Sequence, residues 1–131
     1  MAYLIDTDTI IYSLKNDKKV QEKFLEHEKI PKYISIVTYG ELLYGAKKSE
    51  WVEKNCAKVY RLKNLFPVIP VDLPIIETFS DLKSKYRRTG IIIDDFDLLI
   101  AATALTYNQT VVTNNIKHFG RIEELKIENW K

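Results

Sequence analysis

The sequence predicts an α/β sandwich, a mostly parallel central sheet of four to five strands covered by helices on both faces. Two observations predict it. Short β-branched, apolar runs alternate with longer segments of helical periodicity along the whole chain, the pattern of parallel strands joined by crossover helices. No repeat, low-complexity tract or Gly/Ser linker interrupts that alternation, and the four prolines fall at element boundaries. At 131 residues and 46% apolar side chains, the chain is expected to form a single domain, 1–131, with its own core.

The elements follow in order. Ala2–Asp6 is a short apolar run suited to a buried strand, and the Asp-Thr-Asp-Thr turn that closes it starts a helix over Thr7–Lys15. Val20–Glu28 has the pattern of a charged surface helix. Lys32–Ile36 is β-branched enough for a second strand, and Thr38–Lys48 continues as a helix. Trp51–Leu65 is helical with a basic outer face. After Pro67 comes a short strand, Val68–Val71, then a helix from Pro74 to Arg88, where proline is tolerated in the first turn and Gly90 closes the end. Asp94–Tyr107 is the most apolar helix and is expected to be buried nearly all round. Strands at Thr110–Thr113 and Leu125–Trp130 complete the chain.

Composition narrows the function. A lone Cys56 cannot form an internal disulfide, and the N-terminus lacks the pattern of a secretory signal, which fits a reducing cytoplasm. The longest apolar run, around Leu98–Ala102, falls far short of the roughly 20 residues that span a bilayer, so no membrane is expected. Twenty basic against eighteen acidic side chains give a net charge of +2, so any affinity for nucleic acid must be local. The basic residues cluster at Lys47 and Lys48, along Lys54–Lys63, and from Lys83 to Arg88.

In open α/β sheets ligands gather at the carboxyl ends of the strands. Asp6 stands at such an end, as a helix N-cap or as a site carboxylate, with Asp8 two residues on. Glu41 lies among apolar, aromatic and small residues, where it must either turn to solvent or meet a cation, donors or a metal. Asp97 sits in the first turn of the apolar helix, where Asp94 three residues before it suggests a capping arrangement and Asp95 points elsewhere. Three carboxylates converging without a cation would repel one another, and hard divalent ions such as Mg²⁺ or Mn²⁺ resolve that repulsion. His27 and His118 have no partner at zinc-ligand spacing and are expected to be lone exposed histidines. No Gly-rich phosphate loop, serine elbow or Cys/His pair is present.

These residues resemble the PIN-domain ribonucleases, and among them the VapC-like toxins of toxin–antitoxin pairs. The resemblance rests on Tyr3-Leu4-Ile5-Asp6-Thr7, on Ser35–Leu42 with Tyr44-Gly45-Ala46, on Asp95–Ala102, and on Val112–Asn115 with His118-Phe119 and Asn129-Trp130. It implies a PIN-like α/β/α sandwich in which Asp6, Glu41 and Asp97 hold Mg²⁺ or Mn²⁺ and activate water against an RNA phosphodiester. Thr7 and Thr113 are then polar contacts near the ion. Where many relatives carry a fourth acid this chain has Asn115, so single-metal occupancy, or help from Asp95 or Asp8, is in view. The resemblance further implies a homodimer and a VapB-like antitoxin partner. Lys47, Lys48, Arg87 and Arg88 are the candidate RNA contacts.

Two other readings compete. Leu4-Ile5-Asp6-Thr7-Asp8-Thr9 resembles the nucleophile motif of haloacid-dehalogenase-type phosphatases, with Asp6 forming the phospho-aspartate and Asp8 as acid/base. Alternatively, the Asn at the fourth acidic position marks a PIN fold that binds without catalysis.

Overall fold

Side-chain caps decide where the helices of this protein begin. A computed structural model describes all residues, Met1–Lys131. Its elements run β1 (Tyr3–Ile5), α1 (Thr7–Leu14), α2 (Lys18–Glu26), β2 (Lys32–Ser35), α3 (Ile36–Lys47), α4 (Val52–Leu65), β3 (Val68–Ile69), α5 (Leu73–Arg88), α6 (Asp95–Thr106), β4 (Thr110–Val112), α7 (Ile116–Phe119) and β5 (Ile127–Glu128). Asp17 accepts from Val20 N–H at 3.0 Å, Ser35 from Val37 at 3.0 Å and Asp72 from Ile75 at 2.9 Å. Each cap starts its helix one or two residues before apolar periodicity alone would place it, because it satisfies N–H groups that otherwise have no partner. Gly90, at φ 78°, ends α5 as expected: its N–H bonds Arg87 and the Ile91 N–H bonds Tyr86, a Schellman closure.

Two strands are shorter than the sequence suggests. β3 stops at Ile69, since Pro70 has no N–H to offer the ladder, and β5 keeps only Ile127–Glu128 because Leu125 is used in a turn with Ile122. The single-turn helix α7 is too short for any periodicity to reveal.

The five strands pair in the order β3-β2-β1-β4-β5, every pairing parallel. Alternate residues enter opposite layers. Leu4 and Val111 join the core under α5, α6 and α7, with Ile75, Leu82, Leu98 and Phe119. Tyr3, Ile5, Ile34 and Val112 join the core under α1, α3 and α4, with Ile10, Leu42, Val59, Leu62 and the free Cys56. Helix α6 is buried nearly all round, five successive residues from Ile100 to Ala104 being inaccessible. No helix is long and apolar enough to cross a membrane.

The C-terminal tail is pinned by aromatic packing. Trp130 is 1% exposed, stacks on His27 at 5.3 Å and meets Tyr3 and Phe24 edge-on at 5.1 and 5.0 Å. Its indole N–H donates to Glu128 Oε1, whose other oxygen accepts from the Tyr3 hydroxyl at 3.0 Å. Trp130→Ala should therefore cost about 3–5 kcal/mol, the range for deleting a large buried aromatic. Urea unfolding of the two proteins measures it, and a loss below about 1 kcal/mol would show that the tail does not tie these layers together.

Candidate active site

β1 and β4 lie side by side, but the chain leaves them in opposite directions. From β1 it crosses to β2 through α1 and α2; from β4 it crosses to β5 through α7 on the other face. Such a divergence opens a crevice beyond the carboxyl ends of the two strands, the usual ligand position in an open parallel sheet. Here it is a cleft of about 350 Å³ lined by Asp6, Thr7, Asp8, Ile11, Glu41, Asp97, Asn114 and Asn115.

Asp6 forms its floor. It follows the last residue of β1, is 6% exposed, and its Oδ2 accepts from the buried Thr113 hydroxyl at 2.8 Å. It occupies the N-cap position of α1, yet its carboxylate makes no capping hydrogen bond there and is left to the cleft. Glu41 enters from α3 at the rim, exposed, with Oε1 accepting from the Thr7 hydroxyl at 2.8 Å. Asp97 enters from the first turn of α6, half-buried, with Oδ2 3.3 Å from His118 Nδ1. Asp8 accepts from the Asn114 N–H at 3.1 Å.

The structure thus brings Asp6, Thr7, Asp8, Glu41, Asp97 and Asn115 to one cleft, with Thr113 directly behind Asp6. Asp95 is not among them: it pairs with Lys83 of α5 at 2.9 Å, because two residues of helix turn it to the far side from Asp97. Asp94 caps α6 through the Phe96 N–H at 3.1 Å and forms no reciprocal arrangement with Asp97. The basic residues also stand apart from the cleft. Lys48 lies over the Tyr44 ring at 5.0 Å with Lys47 at the end of α3, Arg87 lines a separate cavity beside the α5–α6 turn, and Arg88 bonds Ser84. His27 is packed on Trp130.

His118 is the chief correction to the sequence reading. Although exposed, it is no lone histidine: it touches both Asp97 and the side chain of Asn115, the residue just before α7. The i, i+3 spacing of Asn115 and His118 was the available signal. Asn114 was also missed, and the end-of-strand rule that singles out Asp6 applies equally after β4.

Burial sets the electrostatics. Asp6 is pushed up from 3.8 to about 7, first by desolvation and then by the Asp8 charge, with the Thr113 hydroxyl and the Thr7 N–H pulling the other way. Glu41, exposed overall but covered on one side, is raised by desolvation and by the charges of Asp97, Asp94 and Asp8. Asp97 is raised by desolvation and Asp94, opposed by His118 and Arg121. Every group facing the cleft except Ile11 offers oxygen or amide donors and none offers sulfur, a set suited to a hard divalent cation. The carboxylates border the cleft without being gathered: no three acidic, His or Cys side chains form a ready coordination shell.

The chain is similar over nearly its whole length to known proteins. The PIN domain family model matches residues 3–125. Ribonuclease VapC2 of Rickettsia felis is 34% identical over 134 aligned positions, covering 99% of this chain and 98% of that protein. The tRNA(fMet)-specific endonuclease VapC of Shigella flexneri is 32% identical at 99% and 98% coverage. Among solved structures, VapBC2 from Rickettsia felis bound to a promoter DNA fragment superposes with a TM-score of 0.93 at 32% identity, covering all of both chains. DNA-bound VapBC from Salmonella typhimurium gives 0.92 at 31% identity, covering 100% of this chain and 99% of that one. These matches displace the phosphatase reading, which left Glu41 and Asp97 without roles.

The raised Asp6 has a measurable consequence. Between the ordinary value of 3.8 and about 7, the folded protein holds a proton that the unfolded chain has already released. Its contribution is complete below about pH 4 and is lost as pH rises through 7. In chelator, the melting temperature should fall between pH 5 and pH 8. Asp6→Asn should flatten that slope and melt higher than wild type at pH 8; an unchanged slope would show that Asp6 ionises normally.

Proposed function

This chain belongs to the PIN domain family, among its VapC-like ribonucleases, and from that premise we propose that it is the toxin of a VapBC-type toxin–antitoxin pair, an endoribonuclease dependent on Mg²⁺ or Mn²⁺. The observation that carries this reading is the convergence of Asp6, Glu41 and Asp97, from three separate elements, on one cleft at the switch point of the sheet. Three acids whose charged forms are each disfavoured by burial and by neighbouring carboxylates gain most from a resident cation. When bound, such an ion supplies a polarised water and neutralises charge developing on the phosphodiester.

The chain's own groups do the rest. Asp6, Glu41 and Asp97 are the proposed ligands. The Thr113 hydroxyl fixes the Asp6 carboxylate and the Thr7 hydroxyl holds Glu41, so that neither has to be ordered when substrate arrives. Asp8, held by the Asn114 N–H, keeps the rim acidic beside Asp6. Lys47 and Lys48, ending the helix that carries Glu41, and Arg87 and Arg88, ending the helix before Asp97, are assigned to the RNA backbone. We take residues 1–131 as one PIN domain that works as a homodimer in the cytoplasm and is inhibited by a VapB-like antitoxin.

Purified protein freed of antitoxin should cut total RNA in Mg²⁺ or Mn²⁺ and stop in EDTA. Asp97→Asn should fold and lose on the order of a hundredfold or more of the rate, as when a group stabilising transition-state charge is removed. Normal cutting by that variant would place the site elsewhere. Absence of both cleavage and Mn²⁺ binding in the wild type would instead identify a PIN fold that binds without catalysis.

A further inference from the structure

Asn115 occupies a junction between the buried Asp6 end of the acid cleft and its half-buried Asp97 end. Its backbone N–H donates to Thr113 Oγ1 at 2.9 Å, and that hydroxyl donates to Asp6 Oδ2 at 2.8 Å. Its side-chain amide lies 3.1 Å from His118 Nδ1, which lies 3.3 Å from Asp97 Oδ2. One residue therefore braces Asp6 through a threonine and Asp97 through a histidine. The resemblance to relatives with an acid at this position suggests Asn115 as a metal ligand, but its contacts suggest another use.

A single ring nitrogen carries at most one proton, and an ionised carboxylate can only accept. With Asp97 ionised, His118 Nδ1–H is the donor to it; the Asn115 Nδ2, placed 3.1 Å from the same ring nitrogen, would then meet a second donor, and a half-turn of the amide relieves this by setting its carbonyl oxygen toward the ring and its NH₂ end away. An NH₂ group does not ligate a cation. We propose that His118 is a positioning residue for Asp97, backed by Asn115, and that the cleft takes a single divalent cation on Asp6, Glu41 and Asp97 with Asn115 outside its ligands. This inference rests on the metal-dependent reading above. It assigns His118 the part of an outer-shell partner, a hydrogen-bond donor that orients a ligating carboxylate.

Mn²⁺ binding to the purified chain, followed by calorimetry and by the loss of the free-ion EPR signal, tests both statements without any assay of cleavage. Wild type should bind one Mn²⁺ per chain. His118→Ala should bind it about 10–100-fold more weakly, the usual cost of losing such a partner. His118→Asn, whose side-chain N–H can stand where Nδ1–H stood, should recover most of the loss. His118 is half exposed, so both variants should melt like wild type in chelator, which separates positioning from folding. Equal affinity in wild type and His118→Ala, or failure of His118→Asn to recover what alanine loses, overturns the positioning role. Two Mn²⁺ in wild type, the second lost in Asn115→Ala, makes Asn115 a ligand and overturns the single-cation statement. No Mn²⁺ bound to wild type overturns the metal-dependent reading itself, and the inference with it.

Discussion

The parallel pairing of β1 with β4 is the constraint on which the site depends. Its register sets Ile5 beside Val112, so the next residue on each strand, Asp6 and Thr113, meet as carboxylate and hydroxyl at the mouth of the crevice. A slip of one residue would move Tyr3 and Ile5 out of one layer and Leu4 out of the other, exchanging every buried side chain between faces. Both strands are only three residues long, so the register is held mainly by the two cores and by the tail. Trp130 locks that tail against Tyr3, and Asn129 beside it donates to Asn114 at 3.3 Å, reaching back to the loop that carries the Asn115 junction.

The same constraint explains which parts of the molecule could be read from sequence. Strands and the apolar helix α6 announce themselves because burial on both faces demands uninterrupted apolar runs, and a carboxylate at the end of such a run is conspicuous. Asp6, Glu41 and Asp97 were each visible for that reason, and helical spacing already set Asp95 apart from Asp97. The caps at Asp17 and Ser35 were passed over because a cap precedes the periodic segment it starts. His118 was hidden for a different reason. Its meaning lies in a contact with a residue 21 positions away, made possible only by the one-turn helix α7, whose four residues leave no periodic trace.

Helix α6 shows how three neighbouring acids avoid working against each other. Asp94, Asp95 and Asp97 all gain from the positive end of the same helix, yet each has a different partner. Asp94 is consumed by the Phe96 N–H and Asp95 by the Lys83 ammonium, while Asp97 meets only a histidine that leaves its other oxygen free. A carboxylate fully satisfied by a lysine would have no reason to accept a cation. The weak partner is what keeps Asp97 available, and the cost is a carboxyl raised by desolvation in the metal-free protein.

An acidic cleft that must admit a polyanion faces a second conflict. The +2 balance of the whole chain cannot draw RNA toward Asp6, Asp8, Glu41 and Asp97, whose own field repels phosphate. Lysines inside the cleft would cure the repulsion but would also pair with the carboxylates and fill the place proposed for the metal. Lys48 instead stands seven residues along α3 from Glu41, roughly 10 Å at helical rise and about one Debye length in physiological salt. At that distance the basic residues can hold flanking phosphates while screening leaves the acid cluster uncompensated. A divalent cation held there would satisfy the carboxylates and offset much of the negative charge that repels phosphate, so substrate and metal affinity should rise and fall together in this site.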